Sequence, residues 1–247
     1  MVERHIRTTP LAARSLAYVA VAAALLGALM VLVDRPLARF CNQNAHAIHD
    51  AVTAVSALGE AAWYLVPSLL VFVIARFIVR RPAIAARGLF VFLGVALAGL
   101  ASDVLKFAVG RSRPWVLFTD GRYDFWPLQL DAHYQSFPSG HAACAAAAAL
   151  TLAVVAPRYR VRLLLAASLV ALTRVVVLAH YLSDVLAGAA LAWLIVVTLQ
   201  RVFARQGVPL GPADGAVRTL PSPLALRVFG AVRLYARAPG IPRSASR

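Results

Sequence analysis

The chain has 247 residues, of which 61% are hydrophobic and 14% are charged. Soluble domains are about 45–50% apolar and about 25% charged, so this composition is typical of a membrane protein and argues against an ordinary soluble domain. The formal net charge of +15 does not indicate a nucleic-acid partner, because the basic residues are spread between hydrophobic runs and form no single patch.

Six apolar runs are long enough, together with their flanking residues, to cross the hydrocarbon of a bilayer. They lie at about 15–33, 63–78, 88–105, 141–156, 161–179 and 184–203. Arginines precede the first run, as they do in a signal peptide. Its length and the lack of a small-x-small cleavage site indicate an anchor instead. The sequence therefore predicts an all-α, polytopic membrane protein with six transmembrane helices.

The predicted organisation has three parts, which are an N-terminal segment at 1–14, a six-helix membrane domain at 15–205 and a basic tail at 206–247. The tail is rich in proline, glycine and arginine. Its stretch 224–238 fits either a basic helix lying on anionic lipid or a disordered segment, and the pattern does not separate the two.

The distribution of basic residues predicts the orientation in the membrane. Eighteen of them lie in the N-terminal segment, in or next to the connections after the second and fourth runs and in the chain from Arg201 onward, whereas six lie in the alternate connections. Cytoplasmic segments carry the excess of lysine and arginine. Both termini are therefore predicted to be cytoplasmic in the inner (plasma) membrane, and the connections 34–62, 106–140 and 180–184 are predicted to face the periplasm or the outside.

Three cations gather at the predicted outward ends of the helices. Lys106, the only lysine in the chain, ends the third run, Arg113 follows it, and Arg174 lies near the end of the fifth. With no acid nearby to neutralise them all, they favour a polyanion such as a phosphoryl group. Ser139 and Gly140 precede the fourth helix, where their backbone N–H groups and the positive helix end are suited to the same anion.

Two histidines and one carboxylate lie at the same predicted level. His180 and Asp184 are one helical turn apart, so the carboxylate is placed to hold one imidazole nitrogen as N–H while the other attacks phosphorus. His141, at the mouth of the fourth helix, can protonate the leaving oxygen. A single helical histidine is more often a packed residue than a catalytic one, but the coincidence of all these groups on one side favours a site.

These residues form three motifs, KFAVGRSRP at 106–114, PSGH at 138–141 and TRVVVLAHYLSD at 173–184. Together they resemble the signature of the type 2 phosphatidic acid phosphatase superfamily, which also contains vanadium haloperoxidases. The resemblance covers about residues 60–205 and implies the helical bundle of that superfamily. Thr173 stands where the superfamily usually has serine; a hydroxyl remains, so we expect little loss of phosphate chemistry.

The resemblance implies a role for each residue. Lys106, Arg113 and Arg174 bind the phosphate with Ser139 and Gly140, and no metal or other cofactor is implied. His180 forms a phosphohistidine, Asp184 orients it and His141 protonates the leaving group; water then hydrolyses the intermediate. The implied substrate is a membrane lipid phosphate or pyrophosphate, such as phosphatidate, phosphatidylglycerophosphate, undecaprenyl pyrophosphate or a lipid A phosphate.

The same residues leave other functions open. The same site could pass its phosphoryl group to a second lipid, as a phosphotransferase does, and a non-catalytic lipid-binding or transport protein is a further alternative. Haloperoxidase activity is disfavoured by the six predicted spans. His46, His49 and Asp50 have helical spacing that can bind metal, but a solvated amphipathic face is the preferred interpretation. Cys41 and Cys144 predict no disulfide.

Overall fold

The structure is a computed structural model that describes residues 11–211. Within this range the chain is helical, and its only extended pairing is an isolated bridge between Arg111 and Phe125. The prediction of an all-α fold is therefore confirmed. The helices are α1 (Leu11–Leu32), α2 (Asp34–Asn44), α3 (His49–Ala57), α4 (Ala62–Val73), α5 (Pro82–Val109), α6 (Pro114–Thr119), α7 (Gly140–Val155), α8 (Arg160–Val176) and α9 (Leu182–Arg205).

Each of the six predicted apolar runs corresponds to a helix, namely α1, α4, α5, α7, α8 and α9. The connections 34–62 and 106–140 contain three further helices, α2, α3 and α6, which hydropathy did not predict because they are short. The π segment Ile74–Ile78 extends α4. The predicted tail from residue 212 onward, including the stretch 224–238, lies outside the described residues.

Three helical ranges are long and apolar enough to cross a membrane, judged by length and composition: His49–Ile78, Pro82–Val109 and Leu182–Arg205. Two further apolar helices, Ala23–Leu32 and Gly140–Val155, are shorter. Many large apolar side chains on these helices are exposed, among them Leu70, Leu100 and Trp193, as expected for surfaces that face lipid. The number of six crossings stays a prediction.

The core lies where α7 packs between α5 and α9. Alanines on α7, including Ala143, Ala147 and Ala148, are almost fully buried against these neighbours. Small side chains let helices approach closely, which is how helices associate where the surroundings are as apolar as the core. Cys144 is a buried, free thiol within the same cluster, and Cys41 is also buried and free.

Gly188 on α9 brings that helix against the beginning of α7. A Cβ atom added at Gly188 would lie 2.5 Å from the backbone carbonyl oxygen of Ser139, a distance that no side chain tolerates. The close approach is held by a backbone hydrogen bond in which the Ser139 N–H donates to the Asp184 carbonyl at 3.0 Å. The fold thus places two of the predicted motifs in direct contact.

Candidate active site

The helix ends carry the predicted site residues to one end of the bundle. They come from the last turn of α5, the residue before α6, the beginning of α7, the last turn of α8 and the connection from α8 into α9: Lys106, Arg113, Ser139, Gly140, His141, Arg174, His180 and Asp184. The chain leaves α5 through Gly110, whose φ of 60° is the left-handed conformation that ends helices. This turn directs the following arginines toward the bundle.

The N-terminus of α7 has the features of an anion-binding site. The Ser139 side chain caps the helix by accepting from the Ala142 N–H at 3.4 Å, and Ser139 itself is fully buried. The Lys106 ammonium lies against Gly140, because a Cβ atom at Gly140 would be 3.0 Å from Nζ. Lys106 also pairs with the exposed carboxylate of Asp103 at 2.9 Å. The positive helix end and a lysine therefore face the same space.

Arg113 and Arg174 are half-buried cations that form no salt bridge with any of the described residues. Arg174 donates to the Ser56 hydroxyl at 2.5 Å, and the Nε atoms of both arginines are buried without a partner among residues 11–211. Burial lowers the pKa of Arg113 below the ordinary arginine value, and only the charge of Asp184 opposes this. Guanidinium groups that are partly buried without a counter-charge are costly, so this arrangement suits an anionic ligand.

His180 lies in the turn between α8 and α9 and is 3% exposed. Its Nδ1 atom is 2.7 Å from the backbone carbonyl oxygen of Ser136. A carbonyl only accepts hydrogen bonds, so Nδ1 carries the hydrogen and the lone pair of the neutral ring is on Nε2. The main chain therefore selects the tautomer that a nucleophile requires.

Burial is the largest cause that lowers the pKa of His180 well below its ordinary value. The positive charges of Arg113, Arg174 and Lys106 act in the same direction, while the hydrogen bond to Ser136 opposes them. His180 is therefore neutral at neutral pH. All three predicted phosphate-binding cations are therefore near enough to the ring to affect its charge.

Asp184 is fully buried, but its partners differ from the expected one. Its Oδ2 atom is 3.9 Å from His180 Nδ1, beyond hydrogen-bond distance, and instead accepts from the Ser136 hydroxyl at 2.6 Å and from the Tyr181 N–H at 2.8 Å. The latter contact also caps α9. Asp184 is thus linked to the ring through Ser136, whose hydroxyl donates to Asp184 and whose carbonyl is the direct partner of the ring.

His141 begins α7 and packs against the turn between α3 and α4. A Cβ atom at Gly59 would lie 2.9 Å from His141 Cδ2, so the absence of a side chain there makes room for the ring. Arg174, Lys106 and Arg113 act electrostatically on His141 as they do on His180. Both histidines therefore belong to the same positively charged site.

Four residues that contact Asp184 or its partners were not singled out by sequence: Asp34, Arg111, Ser136 and Ser183. Arg111 lies inside the first motif, and Asp34 directly follows the first apolar run. Two features of the sequence could have indicated these residues. One is an acid directly after an apolar run, and the other is a second arginine two residues before Arg113. Thr173, by contrast, donates its hydroxyl to the Val170 carbonyl at 2.6 Å, within its own helix.

The remaining sequence candidates lie apart from this site. His49 and Asp50 are exposed at the beginning of α3, and His133 pairs with Asp131 in the 106–140 connection at 2.5 Å. Among the side chains that the structure describes, no group of three or more histidine, cysteine or acidic residues is arranged to hold a metal ion.

Comparisons with known proteins agree with the motifs. The family model described as the PAP2 superfamily matches residues 87–207. A Lipid A 1-phosphatase of Rhizobium etli is 32% identical over 212 residues, which cover 81% of this chain and 88% of the relative. A Lipid A 1-phosphatase of Rhizobium johnstonii is 33% identical over 213 residues, covering 81% of this chain and 83% of that relative. No solved structure matches the chain.

Proposed function

This chain belongs to the PAP2 superfamily and is a membrane lipid phosphatase, and we propose that it removes the phosphate of a lipid A-type glycolipid through a phosphohistidine on His180. The observation that carries the proposal is the buried, neutral imidazole of His180, which the Ser136 carbonyl holds with its Nε2 lone pair free. The choice of lipid A follows the names of the two Rhizobium relatives.

In the first proposed step, His180 Nε2 attacks phosphorus. An N–P bond forms as the P–O bond to the lipid breaks. His141, which we propose is protonated once the bound phosphate offsets the charges of Lys106, Arg113 and Arg174, gives its proton to the departing oxygen. In the second step, His141 takes a proton from water, whose oxygen attacks phosphorus. The N–P bond then breaks, so that inorganic phosphate leaves and neutral His180 is restored.

The charge that develops on the phosphoryl oxygens needs nearby positive groups. Lys106, Arg113 and Arg174 provide them, and the N-terminus of α7 adds the backbone N–H of Gly140. The Ser139 N–H, which was expected to bind the same anion, donates to the Asp184 carbonyl instead, so the hydroxyl is the group that Ser139 can offer. Three fixed cations meet the electrostatic demand of phosphoryl transfer, so we propose a reaction that does not depend on a metal ion.

The proposed setting is the inner membrane, with six crossings by α1, α4, α5, α7, α8 and α9. Both termini are placed in the cytoplasm by the excess of arginine in the segments next to them. Three proposed crossings precede the connection that carries Arg113 and five precede the one that carries His180, so both connections are proposed to face the periplasm. A lipid in the outer leaflet would present its phosphate at that level.

The test is phosphate release by detergent-solubilised protein in the presence of EDTA. Lipid A, phosphatidate, phosphatidylglycerophosphate and undecaprenyl pyrophosphate are offered to the wild type, to His180→Ala and to His133→Ala, a control that removes an exposed histidine of the outward connection. We expect release by the wild type and by His133→Ala, fastest from lipid A, and none by His180→Ala. No release from any of the lipids by folded wild type would contradict the proposal, as would equal release by His180→Ala.

A further inference from the structure

A buried ionic cluster lies directly behind the candidate active site. Its three charged members are Arg111, Asp34 and Asp184, whose side chains are at most 1% exposed. Arg111 lies between the two carboxylates, with Nη1 2.6 Å from Asp184 Oδ1 and Nη2 2.9 Å from Asp34 Oδ2. Removing three charges from water costs several kcal/mol for each ion, so a cluster of this kind needs a reason beyond stability.

The guanidinium of Arg111 is held in one orientation by several contacts. Nη1 also donates to the Ser183 hydroxyl at 2.7 Å, and Nη2 donates to the Tyr123 hydroxyl at 2.8 Å. The group stacks over the ring of Tyr181, 4.2 Å from its centroid. With both terminal nitrogens bonded twice and one face covered, the fork cannot rotate without losing several interactions.

Arg111 contacts both of the groups that face Nδ1 of His180. Its side chain binds Asp184, and its backbone carbonyl accepts from the Ser136 N–H at 3.0 Å. Ser136 in turn donates its hydroxyl to Asp184 and offers its carbonyl to His180. One residue therefore fixes the carbonyl that selects the histidine tautomer and the carboxylate that stabilises its positive charge.

Asp34 extends the cluster to the first part of the chain. It begins α2, and its carboxylate accepts from the Ser183 N–H at 3.0 Å and from the Ser183 hydroxyl. Ser183 precedes Asp184 on α9, so Asp34 holds both Arg111 and the turn that carries the catalytic pair. The family model matches only residues 87–207, and Asp34 lies outside that range.

We propose that Arg111, anchored by Asp34, is a positioning residue that fixes Ser136 and Asp184 around His180, so that the α1–α2 segment completes the active site. The inference rests on the proposed function, since it assigns these residues a role in turnover. A purely structural cluster would affect how much protein folds. A positioning cluster also affects kcat for each folded molecule, while KM changes little because Lys106, Arg113 and Arg174 are untouched.

The experiment compares Arg111→Lys, Arg111→Gln, Asp34→Asn and Ser183→Ala with the wild type and with Arg122→Gln. Arg122 is an exposed arginine of the same connection whose side chain contacts Tyr134, outside the cluster. Folded protein is quantified by size-exclusion chromatography before kcat and KM are measured on lipid A, and orthovanadate affinity reports the phosphate site separately.

We expect both Arg111 variants to lower kcat at least tenfold, with KM and orthovanadate affinity within about threefold of the wild type. Even lysine, which keeps the positive charge, loses the two terminal nitrogens of the guanidinium group that bind the cluster. Asp34→Asn should behave in the same way, and Arg122→Gln should stay within twofold of the wild type. If the Arg111 and Asp34 variants do not fold, Ser183→Ala decides. It removes one hydroxyl from the cluster and should lower kcat three- to tenfold. Folded variants with kcat within twofold of the wild type overturn the inference.

A wild-type protein that releases no phosphate from any of the lipids would refute the proposed function. The inference could still be tested by NMR spectroscopy of the His180 ring. In protein labelled with ¹⁵N-histidine, the wild-type ring of His180, assigned by the loss of its signals in His180→Gln, should give the spectrum of the Nδ1–H tautomer. In Arg111→Gln the backbone carbonyl of residue 111 still accepts from the Ser136 N–H, so the Nδ1–H tautomer should be kept, but the ring ¹⁵N signals should shift because Asp184 is no longer held behind Ser136. Ser183→Ala replaces this variant if it does not fold. Ring signals unchanged from those of the wild type would then overturn the positioning role.

Discussion

The Nδ1 atom of His180 lies 2.7 Å from the backbone carbonyl oxygen of Ser136. The imidazole is thus oriented by the main chain of the segment that leads into α7, which Ser139 caps. Two hydrogen bonds hold this segment against α9, from the Ser136 hydroxyl to the Asp184 carboxylate and from the Ser139 N–H to the Asp184 carbonyl. The Asp184 carboxylate lies 3.9 Å from the ring. Its mutation should therefore affect turnover differently from the mutation of a carboxylate that bonds the ring directly.

Asp184→Asn tests that difference. Where a carboxylate bonds the histidine directly, its amide variant loses about 10⁴-fold in turnover because the tautomer is wrong. Here Ser136 keeps the tautomer, so we expect a loss of about 100-fold, with a stability loss of about 3 kcal/mol from the broken buried pair with Arg111. Steady-state kinetics and thermal unfolding in detergent measure both effects.

Asp103→Asn is the control for that variant, because Asp103 is an exposed acid paired with Lys106. Exposed pairs contribute about 0–1 kcal/mol, so its unfolding should change little. A folded Asp184→Asn protein with a 10⁴-fold loss would mean that the carboxylate acts directly on the ring during catalysis.

Gly188→Ala should damage both stability and activity. The new Cβ atom would lie 2.5 Å from the Ser139 carbonyl oxygen, and backbone cannot move aside as a flexible side chain does. We expect a loss of about 1–3 kcal/mol from overpacking and a fall in kcat of at least about tenfold, because α7 and α9 carry opposite halves of the site. Melting temperature and turnover are measured on the same preparation.

The matched variant is Gly99→Ala, whose Cβ atom would meet only Cys144 Sγ at 3.4 Å, an ordinary contact. It should retain turnover within twofold. Equal behaviour of the two alanine variants would be evidence against the close approach of α9 to the beginning of α7.

Gly140→Ala should act on binding more than on folding. Its Cβ atom would lie 3.0 Å from Lys106 Nζ, so the flexible lysine must move by a few tenths of an ångström. Since a misplacement of about 1 Å can cost 10²-fold, we expect a fall in kcat/KM of about fivefold with an unchanged melting temperature. Gly27→Ala, with nothing within 4 Å, should leave kcat/KM unchanged. An unaffected Gly140→Ala enzyme would argue against a role for Lys106 at this position.

The acid limb of the pH profile depends on the state of His180. In the proposed mechanism only the neutral ring attacks, so protonation should remove the activity as the pH falls. Because burial and then Arg113 lower the pKa of His180, the loss of activity should occur well below pH 6.5. Arg113→Gln removes one positive charge, so the pKa should rise and the limb should move up by about one pH unit.

Arg113→Lys keeps the charge and serves as the control for that shift. Each enzyme is normalised to its own maximal kcat/KM on the same lipid, so that ionisation of the substrate affects all profiles equally. The charge effect would be refuted by a limb that moves equally in the glutamine and lysine variants.

Sequence alone predicted the helical class and the three motifs because both depend on local patterns. Apolar runs give helices such as α5 and α9, and the spacing between His180 and Asp184 follows from one helical turn. Contacts between distant segments carry no such pattern. The Ser136 carbonyl cannot be distinguished by residue type, since every residue has one, and its position depends on a loop fixed by Arg111.

The contact between Asp34 and Arg111 could not be predicted from sequence for the same reason. The charge of Asp34 after an apolar run was visible, but its partner Arg111 is 77 positions away along the chain. The pairing of the two requires the packing of α1 and α2 against α9, which composition does not specify. The short helices α2, α3 and α6 were missed for a related reason, since tertiary contacts rather than a long apolar period stabilise them.

The most direct test of the central claim is to trap the covalent intermediate. Wild type, His180→Ala and His133→Ala are mixed with lipid A carrying ³²P at the 1-phosphate, stopped within milliseconds in alkali, where phosphohistidine survives, and digested for peptide mapping. The account predicts an alkali-stable, acid-labile label on the peptide that contains His180 in the wild type and in His133→Ala, and no label in His180→Ala. Turnover by the wild type with no label on that peptide, or with label on a different residue, would contradict it.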